Sequence, residues 1–475
     1  MKRAILDCYT DEPSGLGVPP YLGVYPRYIY GRIKPAYYLT IDDLRSWKKK
    51  KKQSSKPSQK TDISVYNTTK NSQDVQKILE SISELIIILG VHTPGKYLSA
   101  IPGTLREVIN LTRGFKCKKV LTGPAVSGTQ LEGGKFFERV NENEFDEMRD
   151  YNFDFNDLKA REGASVIKQI NDLRIIEIET SRGCPGKCSF CLEPVKHKYV
   201  RFRKPDFIIN EIKELYNLGC RHFRLGKQSC FYSYPWLEEL LKVIWQECPE
   251  IKVLHIDNVN PNSVTDEKTE LIVKYCTPGN VAAFGVESFD TKVIEANNLN
   301  TTPEQTMKAI RIINKHGRKI GSNGMPKFLP GINILFGLKE ESKETHNENM
   351  RWLNKIYKEN LLLRRINIRQ VNIYPGTDLQ RTAGNKYLKK NRKYYWKWRN
   401  EIRQKIDWPM LRKIIPEGTI LKEVRTEVYD GKTTFGRQLG TYPIIVGIKK
   451  RLPLKSFFNV KIKSHMLRSV VGEVV

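Results

Sequence analysis

Between about residues 170 and 385 the chain alternates short apolar strands with longer stretches of helical periodicity, and this alternation constrains the fold more than any other feature. The strands are rich in β-branched residues, and apolar residues recur at helical spacing in the stretches between them. Repeated strand–helix units predict a partial (βα)6 barrel of the TIM type. The predicted strands are 174–180, 222–227, 252–258, 281–287, 333–337 and 366–374, and the predicted helices are 207–218, 236–246, 304–315 and 343–358.

Three cysteines follow the first of these strands on a loop that contains glycine. The segment RGCPGKCSFCLE places Cys184, Cys188 and Cys191 at C-x3-C-x2-C spacing, with Phe190 directly before the third thiol. Thiolates this close together can converge on one metal centre, and three of them suit an iron–sulfur cluster that keeps one iron open. A structural zinc would need a fourth ligand, for which His197 is a candidate. A disulfide framework fits less well, because nine cysteines in 475 residues is an ordinary density.

The cysteine loop resembles the signature C-x3-C-x-aromatic-C of the radical S-adenosylmethionine (SAM) enzymes. The resemblance implies a [4Fe–4S] cluster on Cys184, Cys188 and Cys191, with Phe190 as its apolar neighbour. In that family the open iron chelates SAM, and an electron from the cluster generates a 5′-deoxyadenosyl radical. A low-potential electron donor such as ferredoxin or flavodoxin is therefore implied as a partner.

Two later strands end in motifs that resemble SAM-binding motifs of this family. Gly226, Lys227 and Gln228 end the second strand, where the family has a glycine-rich motif that meets the amino group of the methionine moiety. Lys227 and Gln228 depart from the common acidic form of that motif. The fourth strand ends in GVES, which resembles G-x-E-S and assigns Glu287 and Ser288 to the ribose or methionine moiety.

The fifth and sixth strands end in two further motifs of this kind. GINILFGL resembles the G-x-I-x-G-x-x stretch that contacts adenine, which assigns Gly337 to the cofactor. YPGT resembles the Y/R-x-PGT of the methylthiotransferase branch and assigns Tyr374. Glycine and Pro-Gly turns at strand ends are common in any protein, so the order of the four motifs behind the cysteine loop carries more weight than any one of them.

Residues 1–150 predict a Rossmann-like α/β domain, with strands at 3–8, 84–89 and 118–122 and a helix at 105–111. A lysine-rich segment at 48–60 predicts a mobile loop, either simply solvated or in contact with RNA. The stretch GLGVPPYLG at 15–23 resembles the G-x-PP-x-GL of the cobalamin-binding-type domain that precedes many radical SAM barrels. The resemblance implies cobalamin as a further cofactor. The D-x-H-x-x-G motif of other cobalamin proteins is absent, and His92 lies in a different context.

Residues 386–410 predict a basic, aromatic linker helix. Its lysines and arginines alternate with Tyr394, Tyr395, Trp396 and Trp398. Two interpretations stay open for this segment. The aromatic rings stack on unpaired bases while the cations hold phosphates, or the rings pack on the barrel and the helix only connects two domains.

Residues 411–475 predict a small antiparallel β-barrel of TRAM or OB-like type. The runs are short and alternating, Asp430-Gly431 is a hairpin signal, and 13 Lys+Arg stand against 5 Asp+Glu. DGKTTFGRQLGTY at 430–442 and NVKIKSHMLRSVVGEV at 459–474 resemble the TRAM domain, an RNA-binding barrel appended to RNA-modifying enzymes. The phosphate contacts that this resemblance implies are Arg437, Lys461, Lys463 and Arg468.

Charge and hydropathy limit which partners and which cellular compartment the protein can have. The net charge of +29 favours a polyanion such as RNA, or reflects a lysine-rich proteome. No run approaches the ~18 apolar residues of a membrane span, and MKRAILDCYTDE lacks the apolar core of a signal peptide. We therefore expect a cytoplasmic protein without a membrane partner.

The predicted order of α/β domain, radical barrel and TRAM-like barrel is that of the tRNA methylthiotransferases. Their N-terminal domain carries three cysteines for a second cluster, whereas residues 1–150 here contain only Cys8 and Cys117. The remaining Cys220, Cys230, Cys248 and Cys276 fit structural roles.

The prediction is therefore a radical SAM enzyme that modifies RNA, with tRNA as the first candidate, by methyl transfer. The alternatives are a methylthiotransferase with an unusual N-terminal site, a radical enzyme acting on a small metabolite or protein side chain, and a zinc-bearing RNA-binding protein without enzymatic activity.

Overall fold

The computed structural model describes residues 2–9, 22–51, 67–90, 101–130, 137–149, 157–172, 175–197 and 199–475. The chain divides into two compact units. The first comprises Met1–Ile178, Arg203–Phe223 and Glu247–Ile251, and the second comprises Glu179–Phe202, Arg224–Gln246 and Lys252–Val475. This division differs from the boundary expected between 150 and 170, because a helix of the first barrel repeat packs within the first unit.

The first unit contains an α/β domain built on a five-stranded sheet. Its strand order is β2-β1-β3-β4-β7, and every neighbouring pair is parallel. This is the 2-1-3-4-5 order of flavodoxin-like folds, in which ligands bind at the carboxyl edge beside the first strand. The elements are β1 (Arg3–Asp7), α1 (Val24–Ile33), β2 (Ala36–Thr40), α2 (Ile41–Lys51), α3 (Val75–Ser81), β3 (Glu84–Ile88), α4 (Leu105–Thr112), β4 (Lys118–Thr122), β5 (Thr129–Gln130), β6 (Phe137–Glu138), β7 (Glu147–Met148) and α5 (Asp157–Gly163).

Sequence patterns account for the central elements of this domain. All five residues of β3 are buried, as the uninterrupted apolar run predicts for a strand covered on both faces. Helix α4 begins with a capping box in which Thr104 and Glu107 satisfy each other's free backbone N–H groups. The core of the sheet is formed by side chains that include Leu6, Leu85 and Leu121.

The central region contains six strand–helix repeats, which confirms the predicted fold class. Its strands are β8 (Ile176–Glu179), β9 (Ser181–Arg182), β10 (Arg201–Phe202), β11 (His222–Gly226), β12 (Val253–Ile256), β13 (Asn258–Val259), β14 (Asn280–Glu287), β15 (Phe328–Phe336) and β16 (Arg365–Gln370). Its helices are α6 (Glu193–Lys196), α7 (Pro205–Asn217), α8 (Leu237–Glu247), α9 (Asp266–Tyr275), α10 (Thr291–Ala296), α11 (Pro303–Gly317), α12 (Lys343–Lys358) and α13 (Asp378–Thr382).

The third barrel strand links two sheets of this region. Its first part, β12, belongs to a sheet of order β12-β11-β8, and its second part, β13, begins the order β13-β14-β15-β16. Strands β13 to β16 pair in parallel. The strand is interrupted at Asp257. Before this residue it pairs with β11, and after it with β14. The six predicted strands therefore form one arc in chain order, as an open fraction of a TIM barrel requires.

The segment after the sixth strand is helical, as predicted. It consists of α14 (Lys386–Ile402), a π-helical turn (Arg403–Asp407) and α15 (Trp408–Ile414). Its buried side chains, among them Tyr395, Trp398 and Ile402, pack on the second unit's own core. Leu388 of α14 lies against the end of β15, where a Cβ on Gly337 would approach it to 2.8 Å.

The last region is a closed five-stranded barrel of order β17-β18-β19-β21-β20. The elements are β17 (Ile420–Asp430), β18 (Thr433–Gln438), β19 (Ile445–Ile448), β20 (Phe457–His465) and β21 (Ser469–Val474). The hairpin predicted at Asp430-Gly431 joins β17 to β18. The prediction of a wholly antiparallel barrel was wrong for one pair, because β19 and β21 run parallel. The segment between β19 and β21 contains only one strand, β20, which leaves these two oriented alike.

A loop of this barrel docks on the βα region of the same unit. Tyr442, between β18 and β19, lies with its ring 3.9 Å from the guanidinium of Arg365 and 5.4 Å from that of Arg224. Its hydroxyl is 3.4 Å from Asp257, and the neighbouring Thr441 N–H donates to Nδ1 of His255 at 2.9 Å. Strands β11, β12 and β16 thus all contribute to the binding of this loop.

None of the helices in the described ranges is both long enough and apolar enough to cross a bilayer.

Candidate functional site

The cysteine loop begins at the carboxyl end of β8 and is held by hydrogen bonds through Ser189, which lies between its second and third cysteines. The Ser189 hydroxyl donates to the side-chain oxygen of Asn297 at 2.8 Å, and its N–H donates to the Asn297 carbonyl at 2.9 Å. The Ser189 carbonyl accepts from the N–H of Leu379 at 2.7 Å. The loop is therefore fixed to the end of α10, beyond β14, and to α13, beyond β16.

The three thiols of the loop lie within electrostatic reach of one another. Cys184 and Glu287 act on Cys188, and both Cys184 and Cys188 act on Cys191. Burial raises the pKa of Cys188 to about 12, with Glu287 and Cys184 adding to the rise, and burial likewise raises the pKa of Cys191 well above its usual range. Neutral thiols with raised pKa values become thiolates when an electron-poor metal centre binds them, since metal coordination deprotonates thiols.

The zinc alternative requires ligands that converge on a single ion. Sulfur ligands of a single tetrahedral zinc lie about 3.8 Å apart, given Zn–S bonds of about 2.3 Å. In the described part of the chain, no three His, Cys, Asp or Glu side chains converge as one shared ion would need. His197, the fourth ligand of the zinc alternative, instead has Arg182 and Lys196 as neighbours, and its pKa falls to about 4, chiefly through burial.

Two glycines of the loop are required by close approaches. Gly183 has φ +82°, and a Cβ there would lie 2.4 Å from the carbonyl oxygen of Tyr199. A Cβ on Gly186 would lie 2.5 Å from the amide of Asn300. The N–H of Gly186 points at the sulfur of Cys184 at 3.3 Å, a contact that stabilises a thiolate.

Two predicted cofactor residues, Lys227 and Glu287, occupy the left-handed backbone region. Their φ angles are +58° and +62°, and they stand at the ends of β11 and β14. For side chains with a Cβ this conformation costs about 1–2 kcal/mol each, and such strain concentrates at functional sites. Both residues therefore stand at the strand ends, where barrels of this kind place their catalytic and binding residues.

The Glu287 carboxyl stands in an environment that favours its neutral form. Burial among protein atoms raises its pKa to about 8, although the half-buried side chain keeps access to the site, and the guanidinium of Arg369 opposes the rise. A carboxyl of this kind serves as a hydrogen-bond donor near neutral pH. Across the site, burial and the charge of Lys227 lower the pKa of Lys196 to about 7.

Three other predicted cofactor residues contribute mainly through structure. The Gln228 amide accepts from Thr180 at 3.3 Å and donates to the Leu225 carbonyl at 3.0 Å, so it holds the turn after β11. The carbonyl of Gly226 accepts from the N–H of Thr180, the residue that follows β8. The Ser288 hydroxyl is buried and accepts from the N–H of Asp290 at 3.1 Å.

The remaining predicted cofactor residues gather at the ends of β15 and β16. Gly337 has φ +96° and donates its N–H to Glu341 at 2.7 Å. Tyr374 is buried and accepts from the amide of Asn372 at 3.1 Å. Phe190 packs on an apolar cluster that contains Val371 and Leu379. The second unit thus brings the cysteine loop and all the predicted SAM residues to one end of its strands.

Sequence reasoning missed four residues of this site, namely Ser189, Asn297, Asn300 and Arg369. Asn297 donates to the Lys339 carbonyl at 2.9 Å as well as binding Ser189, so it joins three loops. No local motif marks these residues, because each acts on a partner distant in sequence. Arg369 lies inside β16, next to its last residue, so no strand-end signal marks it.

The predicted RNA contacts of the closed barrel divide into buried and exposed side chains. Arg437 is a correction, because its guanidinium is buried and pairs with Glu427 inside the barrel. Lys461 and Arg468 are exposed. Lys463 is also exposed, and it pairs with Glu473 at 2.6 Å. Lys461 and Arg468 are therefore the better placed of the four to contact a phosphate backbone.

The predicted ligand edge of the first unit is only partly within the described ranges. Residues 15–21 of the proline-containing stretch, the lysine-rich segment from 52 and the turn with His92 lie outside them. At the described part of the edge, Tyr38 donates to Asp7 at 2.7 Å and Tyr9 donates to Asp42 at 3.0 Å. Burial raises the pKa of Asp7 to about 6.

Among its described residues, the first unit brings no three cysteines together for a second cluster. Cys8 follows β1 and Cys117 precedes β4, and both are buried in the core of the sheet. Cys220 and Cys248 are also buried and free of disulfides, as are Cys230 and Cys276 of the second unit.

Comparison with known proteins places the central region in a family. Residues 178–353 match the family model described as the radical SAM superfamily. The chain belongs to the radical SAM superfamily. The [4Fe–4S] cluster and SAM are accordingly its cofactors.

Relatives extend over different parts of this radical SAM protein. It is 41% identical to an uncharacterized protein of Archaeoglobus fulgidus over 99% of its own length and 90% of that protein. It is 24% identical to the tRNA-2-methylthio-N(6)-dimethylallyladenosine synthase of Karelsulcia muelleri, over 66% of this chain and 71% of the synthase.

Among solved structures, the chain resembles the radical SAM methyltransferase TsrM of Kitasatospora setae with a TM-score of 0.52. The identity is 12%, and the alignment covers 80% of this chain and 74% of TsrM. At this identity the likeness concerns the fold. The fold is thus shared with methyltransferases, and the sequence is distantly related to methylthiotransferases.

Proposed function

We propose that this radical SAM enzyme methylates RNA, with tRNA as its first candidate substrate and cobalamin bound by its first unit. The observation that carries the RNA assignment is the closed barrel of residues 411–475, which is basic, exposes Lys461 and Arg468, and belongs to the same compact unit as the cysteine loop. A cationic surface beside a catalytic barrel suits a phosphate backbone.

Methyl transfer is favoured by the composition and strand order of the first unit. Its sheet has the order that binds ligands beside the first strand. Cys8 and Cys117 are both buried in the core of that sheet, and two thiols are too few for a cluster held by three cysteines. When bound, the [4Fe–4S] cluster supplies the electron that cleaves SAM. Cys184, Cys188 and Cys191 would hold it.

Around the cofactor site, side chains of the protein bind and orient SAM. Glu287 presents a neutral carboxyl that can donate a hydrogen bond near pH 7, and the strained Lys227 directs a cation at the opposite strand end. The products that balance methylation are 5′-deoxyadenosine, which carries the hydrogen removed from RNA, methionine, and S-adenosylhomocysteine from a further SAM. The electrons come from a low-potential donor such as ferredoxin or flavodoxin.

The test is anaerobic reconstitution with iron, sulfide and cobalamin, followed by reaction with bulk tRNA and SAM that carries a deuterated methyl group. We expect about four irons per chain, bound cobalamin, and a nucleoside that gains one labelled methyl group. The Cys188→Ala variant is the matched negative control. Labelled tRNA without a gain of sulfur supports methylation.

The second candidate is methylthiolation, which the distant relationship to the tRNA-2-methylthio-N(6)-dimethylallyladenosine synthase favours. It predicts about eight irons per chain, as expected for two [4Fe–4S] clusters, and a nucleoside that gains sulfur together with the methyl group. If no RNA is modified while SAM is still cleaved, the RNA assignment is refuted and a small-molecule or protein substrate replaces it.

A further inference from the structure

Helix α14 presents two opposite faces, and its outward face is strongly cationic. The buried face carries Tyr387, Asn391, Tyr395, Trp398 and Ile402, which recur at helical spacing. The side chains of the outward face are exposed, and all but Trp396 and Asn400 are cationic. They are Lys386, Lys389, Lys390, Arg392, Lys393, Trp396, Lys397 and Asn400.

The buried face fixes the helix to the radical SAM barrel within the second unit. Trp398 stacks on His346 with ring centroids 5.2 Å apart and contacts Phe336 at 5.5 Å. The amide of Asn391 donates to the carboxylate of Glu341 at 2.9 Å and to its carbonyl at 3.1 Å. The packing interpretation is thus correct for this face. The exposed side chains take no part in that packing, so packing does not explain their identity.

The outward face carries a large excess of positive charge, and Glu401 near the end of the helix pairs with His346 and Lys405. No Asp or Glu occurs from residue 379 to residue 400. Lys389, Lys393 and Lys397 follow one another at i,i+4, and each such like-charge pair destabilises a helix. Burial would raise the pKa of Tyr394 on this helix, but hydrogen bonds and charges from Lys393 and Lys343 lower it. The lowered pKa is consistent with a positive potential at this part of the helix.

Trp396 is the feature that distinguishes this face from an ordinary solvated helix. Its side chain is 63% exposed, and the guanidinium of Arg399 lies 5.2 Å from its ring. An exposed indole costs solvation free energy, and here it stands one turn from Lys393 and beside Lys397. A flat aromatic surface among cations is how proteins hold unpaired bases and their phosphates. An acidic protein partner would contact only the lysines, and the exposed indole of Trp396 would then have no role.

We propose that the outward face of α14 is an RNA-binding surface, distinct from the closed barrel of residues 411–475, that stacks an unpaired base on Trp396. Lys389, Lys393 and Lys397 contact consecutive phosphates, since they are spaced about 6 Å apart along the helix axis. This inference rests on the proposed function, because it names a further surface for the same RNA substrate.

The test compares two sets of charge reversals in the reconstituted full-length protein. The test variant is Lys389→Glu/Lys393→Glu/Lys397→Glu, and the matched control reverses three exposed lysines elsewhere, Lys308, Lys319 and Lys358. Binding of fluorescein-labelled tRNA transcript is measured by anisotropy over a range of salt concentrations. Circular dichroism and iron content establish that both variants fold and carry the cluster.

The salt dependence separates specific contacts from net charge. Removal of one phosphate interaction should reduce the slope of log K against log salt by about 0.7, so the slope of the test variant should fall by about 2 and that of the control by much less. Trp396→Ala should weaken binding by about fivefold or more, since stacking contributes at least about 1 kcal/mol per base. Trp236→Ala, at another partly exposed indole, is its control.

Three results would overturn the inference in distinguishable ways. If the wild-type protein binds no RNA, the proposed function fails together with it. If the wild-type protein binds RNA and both test variants bind equally well, only the inference about α14 fails. If RNA binding is unchanged while reduction of the cluster by flavodoxin is impaired, the surface serves the electron donor instead.

Discussion

A buried charge triad in the first unit gives the sharpest prediction about stability. Glu211 of α7 accepts from Arg27 of α1 at 2.7 and 3.2 Å and from Arg203 at 2.7 Å. The three side chains are 0%, 0% and 1% exposed for Glu211, Arg27 and Arg203. Arg27 also donates to the carbonyl of Glu177 at 2.6 Å, on the strand that leads to the cysteine loop.

The perturbation is Glu211→Ala, which leaves two buried guanidinium groups without their carboxylate. Removing one member of a buried ion pair costs about 3–5 kcal/mol. At about 2–4 °C per kcal/mol for a unit of about 200 residues, the melting temperature of the first unit should fall by about 6–20 °C. The matched control is Glu359→Ala, which breaks the exposed pair with Arg311 and should cost less than about 1 kcal/mol.

The assay is thermal unfolding of both variants by circular dichroism, repeated over a series of pH values. Burial alone would raise the pKa of Glu211, but Arg203 and Arg27 outweigh it and lower the pKa. The stabilisation is therefore fully present above the ordinary pKa of a glutamate and is lost as the pH falls through the lowered pKa. Equal melting temperatures for the two variants at neutral pH would refute the reasoning.

Three further predictions concern the second unit. Cys188→Ala should abolish iron binding and SAM cleavage, whereas Cys276→Ala, at a buried cysteine outside the loop, should retain both in iron and 5′-deoxyadenosine assays. Burial raises the pKa of Glu341 from 4.5 to about 7, so the contribution of Glu341 to stability should fall by about 3 kcal/mol as the pH rises from about 4.5 through 7. Glu341→Gln should lose this dependence in urea unfolding, and a retained slope would assign it elsewhere. Tyr442→Ala should lower the melting temperature more than Tyr442→Phe, because the ring contacts with two arginines matter more than the long hydroxyl contact; equal losses would contradict this.

The docking of Tyr442 gives the closed barrel a structural role. Its loop binds Arg365 of β16 and Arg224 of β11, and Thr441 binds His255 of β12. A barrel bound in this way contributes to the stability of the strands that carry the SAM site. RNA-binding variants are therefore better made at exposed positions such as Lys461 than by removing the whole barrel.

Local sequence patterns determined the secondary structure and the cofactor family of this protein. Helix 343–358 was predicted with the bounds that the structure has, and the other barrel elements differ by a few residues. Hydrophobic periodicity predicts these elements. The cysteine loop is recognised from contiguous residues, because the spacing of its cysteines allows them to bind one cluster. Nothing distant in sequence is needed to recognise either of them.

Tertiary structure alone decided which side chains face each other. It buried Arg437 against Glu427, joined Ser189 to Asn297, and separated the packed Trp398 from the exposed Trp396. It also made β19 and β21 parallel. Each of these outcomes depends on contacts between residues far apart in the chain, and burial and charge compensation at a position depend on those contacts. The sequence therefore determined the chemistry that this protein carries, and the packing of its elements decided which residues remain free to use it.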